Sequence, residues 1–233
     1  MKRLTWRKWR AIVPVFLCIA LVSGNCFAKS DIEKLDTRIR EARLVIGEMH
    51  EMPDTSIPKD LLKQCSGVAI FPSTIKGGFV FGGQYGQGVL LNRDKKTGKW
   101  SAPVFISIGG ASFGFQIGGQ ATDMILVIMN ERGMDSLSHG NVALGGDVSA
   151  AAGPIGRDAA LETDALLKAS IFTYSRSKGL FAGVSLKGSI VGPMKNLNEE
   201  YYGEGVTASD ILFSDKIQPT AEGEKLIEVL EQY

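Results

Sequence analysis

Histidine and cysteine, the commonest carriers of metal and nucleophile chemistry, are scarce in this chain. Two histidines occur, His50 and His139, and neither has a second ligand-type residue at metal spacing, so no zinc site is expected. Three cysteines occur, Cys18, Cys26 and Cys65, too few for a disulfide framework. The glycines nowhere form G-x-G-x-x-G ahead of a helix, and G-x-x-x-x-G-K-[ST] is absent, which removes the nucleotide-binding loops. No apolar run approaches the roughly 20 residues that cross a bilayer as a helix. Charge of one sign is lacking too: 26 basic residues stand against 25 acidic ones. That balance argues against a general nucleic-acid binder, which needs a basic footprint. The acids Asp123, Glu131, Asp135, Asp147 and Asp158 could in principle pair as acid and base, but the sequence alone brings no two of them together. The expectation is a protein without enzymatic activity, cofactor or metal.

The charge balance hides an asymmetry. Lys2, Arg3, Arg7, Lys8 and Arg10 fill the first ten positions with no acid among them, which leaves 21 basic against 25 acidic residues in the remainder. This basic segment is followed by AIVPVFLCIALV, a short apolar run interrupted by Pro14, and by SGNCFA, which ends on small residues. Together they read as a secretory signal peptide over residues 1–28, cleaved after Ala28. The competing lipoprotein signal, with Cys26 acylated, wants a small residue where Asn25 stands. Export to a periplasm or envelope is the expected destination. Cleavage leaves Cys65 alone in LLKQCSGVAIF, where it reads as a small buried apolar residue rather than a nucleophile.

From Lys29 onward a single domain to Tyr233 is expected, since no linker composition interrupts it. Ile32, Leu35, Ile39, Ala42, Ile46 and Met49 recur at alternating steps of three and four, one apolar stripe on a helix of about five turns. Ser30 and Glu33 suit a capping box at its start, and Pro53 ends it. Its other face mixes Lys34, Arg38, Arg40 and Arg43 with Asp31, Glu33, Asp36 and Glu41. Such a helix either packs its stripe into the domain with a solvated charged face, or lays the stripe in a lipid interface. KDLLKQC gives a second short helix, and GVAIF a core strand stopped by Pro72.

What the chain has in abundance is glycine: 22 of its 28 glycines lie from Gly77 to Gly192. In the stretch 77–120, Phe79, Phe81, Gly83, Tyr85, Gln87 and Val89 alternate with Val80, Gly82, Gln84, Gly86, Gly88 and Leu90, the period of a strand. Glycine at this density inside strands signals bulges, bends or a second backbone approaching closely. Residues 93–98 read as a polar turn between this strand and one over Trp100 to Ile108; DMILVIMN reads as a central strand. Glu131 to Ser138 reads as a helix with Met134 and Leu137 inward, and NVALGGDVSAAAG, KASIFTYSR and LFAGVSLKGSIV as further strands. Thr207 and Thr220 are set to cap two short C-terminal helices, the second over residues 219–233. The fold class is therefore α+β: a glycine-rich, curved, barrel-like antiparallel sheet with an N-terminal amphipathic helix and short C-terminal helices. Gly110-Ala111-Ser112-Phe113-Gly114 matches G-x-S-x-G, but that nucleophile turn needs a helix after the serine, and FGFQIGGQ is strand-like.

The segments SGVAIFPSTIKGGFVFGGQYGQGVLLNRD, TGKWSAPVFISIGGASFGFQIGGQATDMILVIMNERG, LGGDVSAAAGPIGR, YSRSKGLFAGVSLKGS and YYGEGVTASDILF resemble, in order and spacing, the SYLF domain family over about residues 35–213. The resemblance implies lipid binding, with phosphoinositide preference and actin bundling attributed to eukaryotic members, and headgroup contact through a basic amphipathic helix at the domain's start. The matching stretch here is Lys29 to Met49, so Lys34, Arg38, Arg40 and Arg43 are the candidate lipid contacts. Arg176, Lys178 and Lys187, around YSRSKGLFAG, form a second candidate patch; alternatively they are strand-edge charges that discourage sheet association. An anionic phospholipid or membrane surface is the expected partner. The alternative is an envelope structural or protein-interaction module without a lipid ligand.

Overall fold

The structure, a computed structural model, describes residues 31–48, 57–154, 169–177 and 180–233, with the backbone alone at 78–81, 111–120, 177, 180 and 181. The signal peptide, Cys26, Ser30, Met49, His50, Pro53, Asp158 and Lys178 lie outside the described residues. The chain falls into two compact units, Met1–Thr37 and Arg38–Tyr233, and helix α1 (residues 31–48) spans the boundary. From Ile39 on, the stripe foreseen for α1 is core: Ile39, Ala42 and Ile46 are wholly buried, with Val45 beside them. This part of the stripe is thereby unavailable to lipid.

After α2 (Lys59–Gln64) the chain enters two very long strands, β1 (Gly67–Asn92) and β2 (Val104–Ile128), paired antiparallel along nearly their whole length. Then come α3 (Glu131–His139), β3 (Val142–Ala143), β4 (Ala150–Ala152), β5 (Ile171–Ser177), β6 (Leu180–Gly183) and β7 (Ile190–Pro193). Three short helices close the chain, α4 (Lys195–Tyr202), α5 (Ala208–Phe213) and α6 (Ala221–Leu230). The seven described strands form one sheet in the order β3-β7-β2-β5-β4, with β1 along β2 and β6 beside β5. It is an open, curled sheet, a half-barrel.

Glycine produces the curl by removing side chains where the sheet meets itself. A Cβ on Gly88 would strike the Ile70 carbonyl and the Phe71 backbone, and one on Gly86 would strike the Thr74 side chain. The first third of β1 thus crosses its own last third at backbone distance, the close approach that the glycine density implies.

Several strand boundaries depart from the sequence reading. Pro72 does not stop the strand. Phe71 pairs with Met124 and Thr74 with Thr122, so Pro72 and Ser73 together oppose Asp123 in a bulge, where a residue without N–H is tolerated. Ser73 takes φ 53° there, and its N–H donates to Asp123 Oδ1 at 2.9 Å. The extra residue sends both Phe71 and Thr74 to the inner face. The strand expected from Trp100 begins only at Val104, Trp100 keeping one bridge to Arg93. NVALGGDVSAAAG breaks into β3 and β4 because Gly145 turns at φ 77° and the Asp147 carboxylate accepts from the Ala143 N–H. LFAGVSLKGSIV breaks likewise at Gly188, φ 84°. The sheet is also mixed rather than wholly antiparallel, since β4 runs parallel to β5; their connection, residues 153–170, is long enough for the crossover a parallel pair needs.

Both faces of the sheet are packed near the 93–103 connection. Inward lie Phe71, Leu90, Val104, Ile106, Ile108, Met124 and Leu126, joined by Met134 and Leu137 of α3, as their helical spacing foretold. On the outer face Val89, Leu91 and Phe105 are fully buried. α4 is clamped there by Asn198, whose Oδ1 accepts from Phe105 N at 2.8 Å and whose Nδ2 donates to Phe105 O at 3.0 Å. The Tyr201 ring meets Phe105 edge-on at 5.1 Å. α5 carries the capping box of Thr207 and Asp210, and α6 starts at Thr220, both as expected. α6 is tied to α1 at both ends: Arg40 Nε lies 3.6 Å from Glu222, and the Tyr233 hydroxyl donates to Ile46 O at 3.0 Å.

Candidate functional site

The basic residues proposed for lipid contact have three different fates. Lys34, in the N-terminal unit, pairs with Asp31 at 2.8 Å. Arg38 reaches the sheet: its Nη2 donates to Gln87 Oε1, while its Nη1 is buried without an acceptor. Gln87 in turn donates from Nε2 to the Tyr85 hydroxyl at 2.7 Å. Burial holds the Arg38 guanidinium below its ordinary pKa, with the nearby Tyr85 and Glu41 charges opposing.

Arg40 and Arg43 lie toward α6. Glu222 sits 3.6 Å from Arg40 Nε and 2.7 Å from Lys225 Nζ. Its carboxyl is held below the usual range, first by the Lys225 hydrogen bond and then by the charges of Lys225, Arg40 and Arg43. Two cations, Arg40 and Lys225, therefore pair with one carboxylate, and Arg43 acts on it through its charge. Beside Arg40, one turn along α1, Leu44 is 56% exposed. This α1–α6 surface joins a cationic cluster to an apolar side chain in solvent. Lys225 was not among the residues singled out from the sequence, since nothing short of the folded chain brings it to Arg40.

Of the second candidate patch, Arg176 and Lys187 are described, and they stand in different settings. Arg176 is drawn into the structure between Glu48 and Asp123, its Nε 3.2 Å from Asp123 Oδ2. It links α1, β2 and β5 and is mostly covered, which is a structural assignment. Lys187 is exposed in the turn before β7, its stem against Gly145.

No group of acidic, histidine and cysteine side chains fit to hold a metal occurs among the described residues. Ser112 lies within β2, paired with Gly82, and the strand continues past it, so the nucleophile-elbow geometry does not form. Cys65 is buried, its Sγ donating to Leu62 O at 3.1 Å, and burial pushes the thiol up to about 11; it is a core residue, as read from its neighbours. A cavity of about 430 Å³ is lined by Arg93, Lys95, Glu131, Arg132, Asp135 and Phe213 among others. Its charges balance, and Arg93 is committed to the carbonyls of Leu62 and Lys63. No helix among the described residues is long and apolar enough to cross a membrane.

Comparison with known proteins places this architecture. Residues 109–233 match the family described as Ysc84, Las17-binding protein actin regulator. The chain is 37% identical over 207 residues to the SH3 domain-containing YSC84-like protein 1 of Homo sapiens, covering 85% of this chain and 59% of that protein. The Bos taurus protein of the same name is 36% identical over 205 residues, with the same coverage. The LAS seventeen-binding protein 3 of Saccharomyces cerevisiae is 42% identical over 181 residues, 76% of this chain and 39% of that protein. The chain thus spans between about two fifths and three fifths of the length of the curated relatives it matches. With the match covering more than half of its residues, the chain belongs to the Ysc84 family, the group of the SYLF domain that its glycine-rich segments resemble.

Proposed function

We propose that the chain is an exported, non-enzymatic lipid-binding module that associates with anionic phospholipid through the surface shared by α1 and α6. The observation that carries this reading is the convergence of Arg40 and Lys225 on the single carboxylate of Glu222, with the charge of Arg43 acting on the same carboxylate and Leu44 exposed beside Arg40. Basic side chains contact lipid phosphate, and Leu44 enters the acyl boundary. The buried stripe of α1 takes no part, so docking needs no unfolding of the helix. Each lysine or arginine near an anionic leaflet contributes about 1 kcal/mol, roughly fivefold in affinity. Export is supported by the basic, apolar and small-residue sequence of residues 1–28. The intact mass of protein recovered from the envelope then begins at Lys29.

Sedimentation with vesicles of phosphatidylglycerol in phosphatidylcholine tests the reading. Binding rises with the anionic fraction, falls with salt, and weakens about fivefold in each of Arg40→Gln and Lys225→Gln. Equal recovery on neutral and anionic vesicles overturns it. The family's description names binding to another protein, which supports a second reading as a protein-interaction module.

A further inference from the structure

We infer that the open row of the outer sheet face, Tyr85 on β1, Gly109 on β2 and Ile190 on β7, forms with Arg38 a docking site for an acidic peptide segment of a partner protein. One carboxylate of that segment reaches Arg38, and a neighbouring apolar side chain lies over Gly109. The inference rests on the second reading, of a protein-interaction module, and gives it a surface.

The row is fixed by register. Tyr85 pairs with Gly109 and Gly109 with Ile190, so the three project to one face. Tyr85 is 52% exposed and Ile190 50%, two of the few large apolar side chains in solvent. Between them Gly109 offers no side chain, and strand spacings of about 4.8 Å leave a slot roughly 10 Å wide between Tyr85 and Ile190. That width takes one aliphatic side chain. The Tyr85 ring leans over the slot, its Cδ2 3.9 Å from where a Cβ on Gly109 would stand.

The charge comes from Arg38. It has no carboxylate at ion-pair distance among the described residues; a neutral amide, Gln87, takes one nitrogen and nothing takes Nη1. Glu41, one turn further along α1, acts on it only through space. A half-buried guanidinium without a counter-charge is unfavourable, and a carboxylate binds it through paired, charge-assisted hydrogen bonds. The Arg38–Gln87–Tyr85 chain of hydrogen bonds also orders the tyrosine before a partner arrives, which lowers the entropy lost on binding. Tyrosine and arginine are the side chains that most often dominate protein interfaces.

A peptide fits this site better than a membrane. At 3.6 residues per turn, Arg40 and Leu44 point roughly 160° and 120° away from Arg38 around α1. The proposed lipid surface and this one therefore lie on different sides of the helix. Arg38 is drawn back against the sheet by Gln87 and its Nη1 is covered, so the carboxylate of a protruding side chain pairs with it by an outward turn of the guanidinium, a closer approach than a plane of phosphates makes.

The experiment is selection of random ten-residue peptides displayed on phage against the full chain, followed by fluorescence anisotropy of the selected peptides. The expected consensus places Asp or Glu within a few residues of an aliphatic side chain. Arg38→Gln and Ile190→Ser each weaken binding about tenfold or more, while Arg40→Gln changes it less than about twofold. Ile190→Ser touches neither α1 nor the Gln87 contact, so it tests the site even where Arg38→Gln disturbs folding. A consensus without acids, or equal binding by Ile190→Ser, overturns the proposal. So does a loss of vesicle sedimentation in Arg38→Gln matching that of Arg40→Gln, which assigns the site to the membrane. Failure here leaves the vesicle result on Arg40 and Lys225 untouched.

Discussion

The outer face of the β1–β2 hairpin changes character within four residues. At Val89 and Phe105 it is sealed, with Asn198 and Tyr201 of α4 laid against the strand. At Tyr85 and Gly109 the same two strands, in the same register, meet solvent. Backbone geometry does not distinguish the two ends. What differs is the use made of glycine: Gly86 and Gly88 face inward and admit the Thr74 side chain and the Ile70–Phe71 backbone, whereas Gly83 and Gly109 face outward and leave bare sheet. One residue type thus serves construction on one face and exposure on the other, and substitution by alanine separates the two roles.

The largest effect is expected at Gly88. A methyl there meets the Ile70 carbonyl and the Phe71 backbone, neither of which can turn aside as a flexible side chain would. Gly88→Ala is expected to cost about 3 kcal/mol or more, at the upper end for overpacked cores. Urea unfolding followed by tryptophan fluorescence measures it. A midpoint unchanged from the parent would mean that the two arms of β1 do not cross as described.

Much of this construction was legible beforehand, and what was not has a physical reason. Residues 83–87 alternate between exposed and buried in the structure as they alternate in the sequence, because a strand's period needs no knowledge of its partners. The caps at Thr207 and Thr220 are equally local. Pro72 misled because a bulge is a property of two strands, stabilised here by Asp123 across the ladder. The lipid candidates follow from the family resemblance and from charge, on helix α1 and around YSRSKGLFAG. Their partners Glu222, Gln87 and Asp123 come from distant parts of the chain, and those partners decide which cations remain available. Arg176 is drawn between Glu48 and Asp123, and Lys225 comes to Glu222 beside Arg40, for that same reason.

The sealed end depends on a polar clamp, and its loss is expected to be intermediate in size. Asn198 is buried, and both of its amide atoms bond to the Phe105 backbone. Asn198→Ala leaves the Phe105 N–H without an acceptor in an apolar setting, while Phe105 O keeps the Met194 N–H as a donor at 2.9 Å. The expected loss is about 2 kcal/mol. Hydrogen exchange then locates it: protection drops at Phe105 and along α4, while Tyr85 and Gln87 exchange as before. Uniform loss along the whole hairpin would show that its two ends are not separable.

The smallest effect on stability, and the most informative about use, belongs to Gly109. A Cβ there stands 3.9 Å from both Gln84 O and Tyr85 Cδ2, ordinary contact distances, and its φ lies outside the left-handed region. Alanine lowers the backbone entropy of the unfolded chain and is expected to shift stability by no more than about 0.5 kcal/mol, toward the folded state. Construction therefore gives no reason for a glycine at this position. The same methyl occupies the floor of the slot between Tyr85 and Ile190, so Gly109→Ala should weaken acidic peptides selected on the parent protein while leaving vesicle binding at Arg40 and Lys225 unchanged. A gain in stability together with a loss of peptide binding would assign the open row to recognition. A marked loss of stability would instead place Gly109 with Gly88, as a residue the curled sheet itself requires.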